Sequence, residues 1–152
     1  MKKLIVADID GCCISVEHRL QHWLDGDVET FADLWYKDTP IPQGVAVYRK
    51  FLEDDDFTVL FVTARWNRWR HSTLRTLQHH VDADIKSGQL LMRPDHMPAE
   101  LGSMPGDFKP WLLEAFGYKV SDVFLAFDDS QSVIDGWRQR GVTAYLTAGN
   151  HK

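Results

Sequence analysis

The stretch Leu4-Ile5-Val6-Ala7-Asp8-Ile9-Asp10-Gly11 decides how the rest of the chain is read. Four apolar residues stopped by two carboxylates one residue apart, and then by glycine, describe a central strand of a parallel sheet whose carboxyl end opens into a crevice. Past the strand end the backbone turns, so both carboxylates reach one site, and Gly11 permits that turn. Alone, an Asp-x-Asp says little, because aspartates often begin a solvated loop. Its weight comes from three later stretches, each delivering a matching group at a predicted strand end or helix start.

Strand-like runs recur downstream. Phe57 to Val62 ends in Thr63-Ala64-Arg65, Gln89 to Met92 ends at Arg93-Pro94, Val123 to Phe127 ends in Asp128-Asp129-Ser130, and Val142 to Leu146 is a short fifth run. Helical segments are expected between them. One runs from Gln43 to Leu52 behind Pro40 and Pro42, and one from Arg65 to about Val81 with Leu74, Leu77 and Val81 inward. A third runs from Asp107 to Phe116, with Asp107 as N-cap and Pro110 near its start, and a fourth from Gln131 to Arg140, capped by Ser130 and closed by Gly141. Asp95 to Gly106, rich in proline and glycine, reads as a loop. The alternation predicts an α/β fold, a Rossmann-like three-layer sandwich around a parallel sheet, as a single domain over 1–152.

Residues 12–42 intervene as a short helical excursion, a small or minimal cap over the crevice. Its aromatics, among them Trp23, Phe31, Trp35 and Tyr36, are expected to pack as a small core. Trp66, Arg68 and Trp69 stay open to two readings, packing or a surface for a leaving group.

With 152 residues and 44% hydrophobic content the chain can bury a real core, and a formal charge of -5 excludes a surface that grips long duplexes by charge alone. The apolar run after Met1-Lys2-Lys3 is too short for a signal or a membrane span, so the chain reads as soluble and cytoplasmic, with no membrane partner. The only cysteines, Cys12 and Cys13, are adjacent, which excludes a disulfide framework and makes a poor zinc site. Glu53 to Asp56, four acids at the amino end of a strand, reads as a solvated turn rather than a metal site.

Collected in order, Asp8, Asp10, Thr63, Lys109, Asp128 and Asp129 form a phosphoryl-transfer inventory. A carboxylate can attack phosphorus, but phosphate oxygens repel it, so the site must bring cations. Asp8, Asp128 and Asp129 offer hard oxygen ligands for Mg²⁺, Lys109 is the second cation, and the Thr63 hydroxyl donates to a phosphate oxygen. Asp10 is placed to protonate a leaving oxygen and later to deprotonate water.

These motifs, in this order, resemble those of haloacid dehalogenase superfamily phosphatases over essentially the whole chain. Asp-x-Asp-Gly is Asp8-Ile9-Asp10-Gly11, the strand ending in a hydroxyl residue carries Thr63, the lysine is Lys109, and the acidic pair is Asp128-Asp129. Within that superfamily the chain resembles the 3′-phosphatase half of phage-type polynucleotide kinases, through His18-Arg19-Leu20, Arg65, the strand from Leu90 to Pro94 and the segment Asp128 to Gly141.

The resemblance implies a HAD-like core, Asp8 as nucleophile and Asp10 as acid/base. It implies Mg²⁺ on Asp8, Asp128, Asp129 and the backbone carbonyl of Asp10, with phosphate or substrate contacts from Thr63, Ala64, Arg65, Lys109 and Arg19. The activity it implies is removal of 3′-phosphates from nucleic-acid ends in repair, with a 5′- or 3′-nucleotidase or another small-molecule phosphatase as the same-fold alternative. Asp107 resembles a further active-site acid of that group, and Cys12 stands where the group usually has Thr. A receiver module, which also uses acids, Thr and Lys, would place its acidic pair first; here the pair comes last.

Overall fold

The computed structural model describes residues 2–97 and 104–147. Its centre is a five-stranded parallel sheet built from β1 (Lys3–Ala7), β4 (Phe57–Trp66), β5 (Leu90–Arg93), β6 (Val123–Asp128) and β7 (Ala144–Leu146), in the order β5-β4-β1-β6-β7. The first strand in sequence therefore lies in the middle, between β4 and β6. Ligand crevices of open α/β sheets form where the strand order reverses in this way.

Alternation along β1 distributes its side chains between two cores. Ile5 and Ala7 face Val45 and Tyr48 of α3 (Pro42–Glu53) and Leu77 of α4 (Arg70–His80). Leu4 and Val6 face Leu112 and Leu113 of α5 (Pro105–Ala115) and Ile134 and Trp137 of α6 (Gln131–Gln139). This is the expected three-layer α/β sandwich. The two helices of this second layer pack closely: a Cβ on Gly136 of α6 would lie 2.0 Å from the Gly106 carbonyl oxygen of α5, so only glycine fits there.

The excursion between β1 and α3 is helical, in pieces. It contains α1 (Leu20–Leu24) and α2 (Val28–Asp33), and its neck is closed by an antiparallel pair, β2 (Ile14–Ser15) with β3 (Thr39–Pro40). That ribbon has no sequence signal, since two-residue strands carry no period.

Several expectations are corrected. β4 does not stop before Thr63. It runs to Trp66, because the strand shifts register against β5 after Thr63 and pairs Trp66 with Arg93; α4 accordingly begins at Arg70 rather than Arg65. α5 begins at Pro105, inside the predicted loop, so Asp107 sits in its first turn and is not the N-cap, and Pro110 lies in the helix interior. The Gly106 carbonyl, which an N–H at position 110 would have bonded, faces the Arg140 guanidinium at 3.4 Å. Ser130 precedes α6 but makes no side-chain cap; its hydroxyl meets Ser132. Half of the predicted loop, 98–103, and the polar tail, 148–152, lie outside the described residues. No helix among those described is long and apolar enough to cross a membrane.

Candidate active site

The site begins with a tight turn at the end of β1. After Asp8, the Ile9 carbonyl accepts from the N–H groups of Cys12, Cys13 and Ile14 at 3.2, 3.0 and 3.1 Å, and Gly11 takes φ 78°, open to glycine at little cost. The backbone of Asp8 is held on both sides: its N–H donates to the Phe127 carbonyl at 3.1 Å, and its carbonyl accepts from the buried Tyr48 hydroxyl at 2.8 Å. α3 comes near enough to deliver Tyr48 because residue 44 is glycine; a Cβ there would fall 1.7 Å from the Cys12 carbonyl oxygen.

Two cationic clamps flank this turn. On one side the Lys109 ammonium donates to Asp8 Oδ1 at 2.7 Å and to Asp128 Oδ2 at 2.5 Å, all three groups being buried. The Asp8 carboxyl is pushed well above the usual range by burial and by the charge of Asp128, against the pull of Lys109. Burial alone would lower Lys109, but Asp128 and Asp8 raise it, so it stays an ammonium.

On the other side Arg65 forks Asp10, with Nε to Oδ2 at 3.0 Å and Nη2 to Oδ1 at 2.6 Å. Burial would raise the Asp10 carboxyl, but the fork outweighs it and the net direction is down. Arg65 reaches this position because β4 alternates: Thr63 and Arg65 are buried while Ala64 between them is exposed. The Thr63 oxygen accepts from the Arg65 N–H at 3.1 Å, which leaves its own hydrogen available to a ligand.

Asp38 was not anticipated. Its side chain is fully buried, and it accepts from Arg19 Nε and Nη2 at 2.8 and 2.7 Å and from Arg65 Nη2 at 3.3 Å, with His18 Nε2 at 2.8 Å. Arg19 is thereby spent on structure: Nη1 donates to the Phe31 carbonyl at 2.6 Å, and the guanidinium lies 4.2 Å over the Phe31 ring. It stands behind Arg65 rather than in the centre. No local signal in the sequence marks Asp38, which is brought to Arg19 by the closing of the same excursion.

Asp107 pairs with Arg140 at 2.6 Å, half-exposed and away from the clamps. Cys12 and Cys13 are free and buried. The Cys12 thiol lies 3.6 Å from Asp8 Oδ2 and 3.0 Å from the Thr147 hydroxyl, and burial followed by the Asp8 charge pushes it up, so it remains a thiol.

The fold implies a divalent cation, and the donor set fits one. Asp8, Cys12 and Asp129 each present a ligand atom within 4.8 Å of the others, with Asp128 joined to Asp8 through Lys109. Lys109 bridges two of the carboxylates, Asp8 and Asp128, and oxygen donors suit Mg²⁺ while the protonated thiol does not.

A five-stranded parallel sheet with Asp-x-Asp at the carboxyl end of its central strand is the HAD-like, Rossmann-type core. No protein-family model and no curated protein matches the sequence. Among solved structures, a chain of a Pnkp1/Rnl/Hen1 complex is similar at TM-score 0.68 and 22% identity, over 96% of this chain and 46% of that one. A chain of the Pnkp1/Rnl/Hen1 RNA repair complex is similar at TM-score 0.69 and 20% identity, over 96% and 42%. A hydrolase from Pseudomonas syringae is similar at TM-score 0.62 and 13% identity, over 95% and 83%. The chain thus spans less than half the length of the first two, and at these identities the likeness is one of fold.

Proposed function

We propose that this chain is a Mg²⁺-dependent phosphomonoesterase that works through an aspartyl-phosphate on Asp8 and removes 3′-phosphates from nucleic-acid ends. The observation that carries the reaction class is the pair of clamps: Lys109 holds Oδ1 of Asp8, leaving Oδ2 with the weak contact of the Cys12 thiol, while Arg65 holds Asp10 two residues on. Attack forms a bond from Asp8 to phosphorus as the bond to the leaving oxygen breaks. Asp10 gives that oxygen its proton, then takes one from the water that hydrolyses the acyl phosphate.

The resting electrostatics run opposite to these roles, since Asp8 is pushed up and Asp10 down. Binding reverses both. Asp8, Asp128 and Asp129 would hold a divalent cation, whose charge would favour the ionised Asp8 carboxylate and offset that of the phosphate. A phosphate that draws Arg65 toward itself loosens the fork and frees Asp10 to carry a proton. Thr63 and Lys109 supply the remaining donors to phosphate oxygens, with Ala64, exposed beside them, leaving room for the ligand.

The choice of a polynucleotide end rests on the fold shared with chains of an RNA repair complex and on a cap reduced to short helical pieces and a two-residue ribbon. The test is phosphate release, with Mg²⁺ and with chelator, from an oligonucleotide bearing a 3′-phosphate, the same bearing a 5′-phosphate, and a nucleoside monophosphate. Mg²⁺-dependent preference for the first is expected. Preference for the monophosphate replaces the substrate and keeps the mechanism; no release from any of the three refutes the reaction class.

A further inference from the structure

Beside Asp10 and Arg65, on the side away from Lys109, the cap and the end of β4 enclose a hollow of about 230 Å³. Its walls are aromatic. Trp23 and Phe31 of the cap meet at 5.3 Å between ring centroids, Phe31 and Trp69 at 6.1 Å, and Trp66 belongs to the same hollow. These rings are not the small core expected of the cap: Trp23 is 43% exposed. Phe31 is fixed in the wall by the guanidinium of Arg19 behind it.

Apolar walls alone would suit any hydrophobe, but the charges narrow the choice. Arg68 and Arg93 both lie against the Trp66 ring, at 4.9 and 5.1 Å from its centroid. Arg93 lines the hollow, and its Nε has no hydrogen-bond partner among the described residues. The acid in the lining, Asp10, is already neutralised by Arg65. A planar ring joined to an anion matches such a place, and that combination is a nucleotide.

We infer that this hollow is the subsite for the nucleobase of the leaving nucleotide, with the base among Trp23, Phe31, Trp66 and Trp69 and its 5′ phosphodiester near Arg68 and Arg93. The inference rests on the phosphatase reading above for its geometry, since Asp10, which serves the leaving oxygen, borders the hollow. Recognition by ring faces is tolerant of base identity, so the subsite selects a nucleoside over a bare sugar, and not one base over another.

Two measurements test it. The first compares kcat/KM for a 3′-phosphorylated dinucleotide with that for the same molecule made abasic at its terminal residue. The dinucleotide is expected to be better by about 5- to 150-fold, the contribution of one stacked base, and Trp23→Ala/Trp69→Ala should bring the ratio close to one. The second titrates the intrinsic tryptophan fluorescence of the metal-free protein with the unphosphorylated dinucleotide. Saturable quenching is expected, absent with the abasic form and lost in Trp23→Ala, whose melting temperature should match that of wild type because the side chain is 43% exposed. Binding without turnover of any phosphate would sink the phosphatase reading and keep the subsite. Equal kcat/KM for the two substrates, or no saturable quenching, would overturn the subsite whatever the activity.

Discussion

Asp38→Asn isolates what the buried charges behind Arg65 contribute. The change preserves shape but turns one carboxylate oxygen into an NH₂ that faces a guanidinium. Arg65 keeps its fork with Asp10, whereas Arg19, with a side chain 3% exposed, loses its buried counter-charge and one of its two bonds to residue 38, keeping one amide oxygen with the Phe31 carbonyl and ring. Removing one partner of a buried pair costs about 3–5 kcal/mol because the other charge is stranded. For a chain of this size that is a fall in Tm of roughly 6 to 20 °C. The assay is calorimetric or circular-dichroism melting of wild type, Asp38→Asn, Arg19→Met and the double variant. The double should be more stable than the sum of the singles predicts, by about 1–3 kcal/mol, since it removes the stranded charge. A Tm within about 3 °C of wild type for Asp38→Asn, or strict additivity in the cycle, would refute the reasoning.

Three other outcomes are expected. Asp8→Asn abolishes phosphate release, and in chelator it melts higher than wild type near pH 7.5. Its raised carboxyl makes ionisation a cost of folding that is absent below about pH 4 and grows as pH rises through the folded value, so a variant melting lower than wild type at pH 7.5 contradicts this. Lys109→Met leaves Asp8 and Asp128 buried without their ammonium and lowers metal-free stability by about 3–5 kcal/mol; millimolar Mg²⁺ should restore part of the loss, and a melting curve indifferent to Mg²⁺ would count against the cation site. Gly136→Ala forces α6 off α5 at Gly106, an overpacking cost of about 1–3 kcal/mol, and because α5 carries Lys109 it should lower kcat more than it raises KM; unaltered kinetics would uncouple that helix contact from the site.

The strands and the acids at their ends were legible because each signal is local. Leu4 to Ala7 is apolar for burial on two faces, and Asp8, Thr63 and Asp128 follow runs that could only be strands. Helix starts were less so: Arg65 to Trp66 has the composition of a helix start, but pairing with β5 holds it in the sheet as far as Trp66. Asp38 was invisible for a different reason. Nothing around Lys37-Asp38-Thr39 differs from a solvated loop, and its importance comes from Arg19, Arg65 and His18 converging on it from 19, 27 and 20 residues away. The same holds for Arg19, whose position in the chain resembles a substrate contact but whose donors are taken up by the cap.

The position of β1 in the middle of the sheet also governs when the protein can act. Asp8 is synthesised well before its ammonium, which lies 101 residues later in the chain, and Asp128, which shares that ammonium, lies 19 residues beyond it. Contacts of such long separation form late in folding. A nascent or truncated chain that has closed β1 against β4 alone would display Asp8 without its clamp, folded on one face and, on the proposed mechanism, inert, so activity would report the docking of α5 and β6 rather than the formation of the strand that holds Asp8.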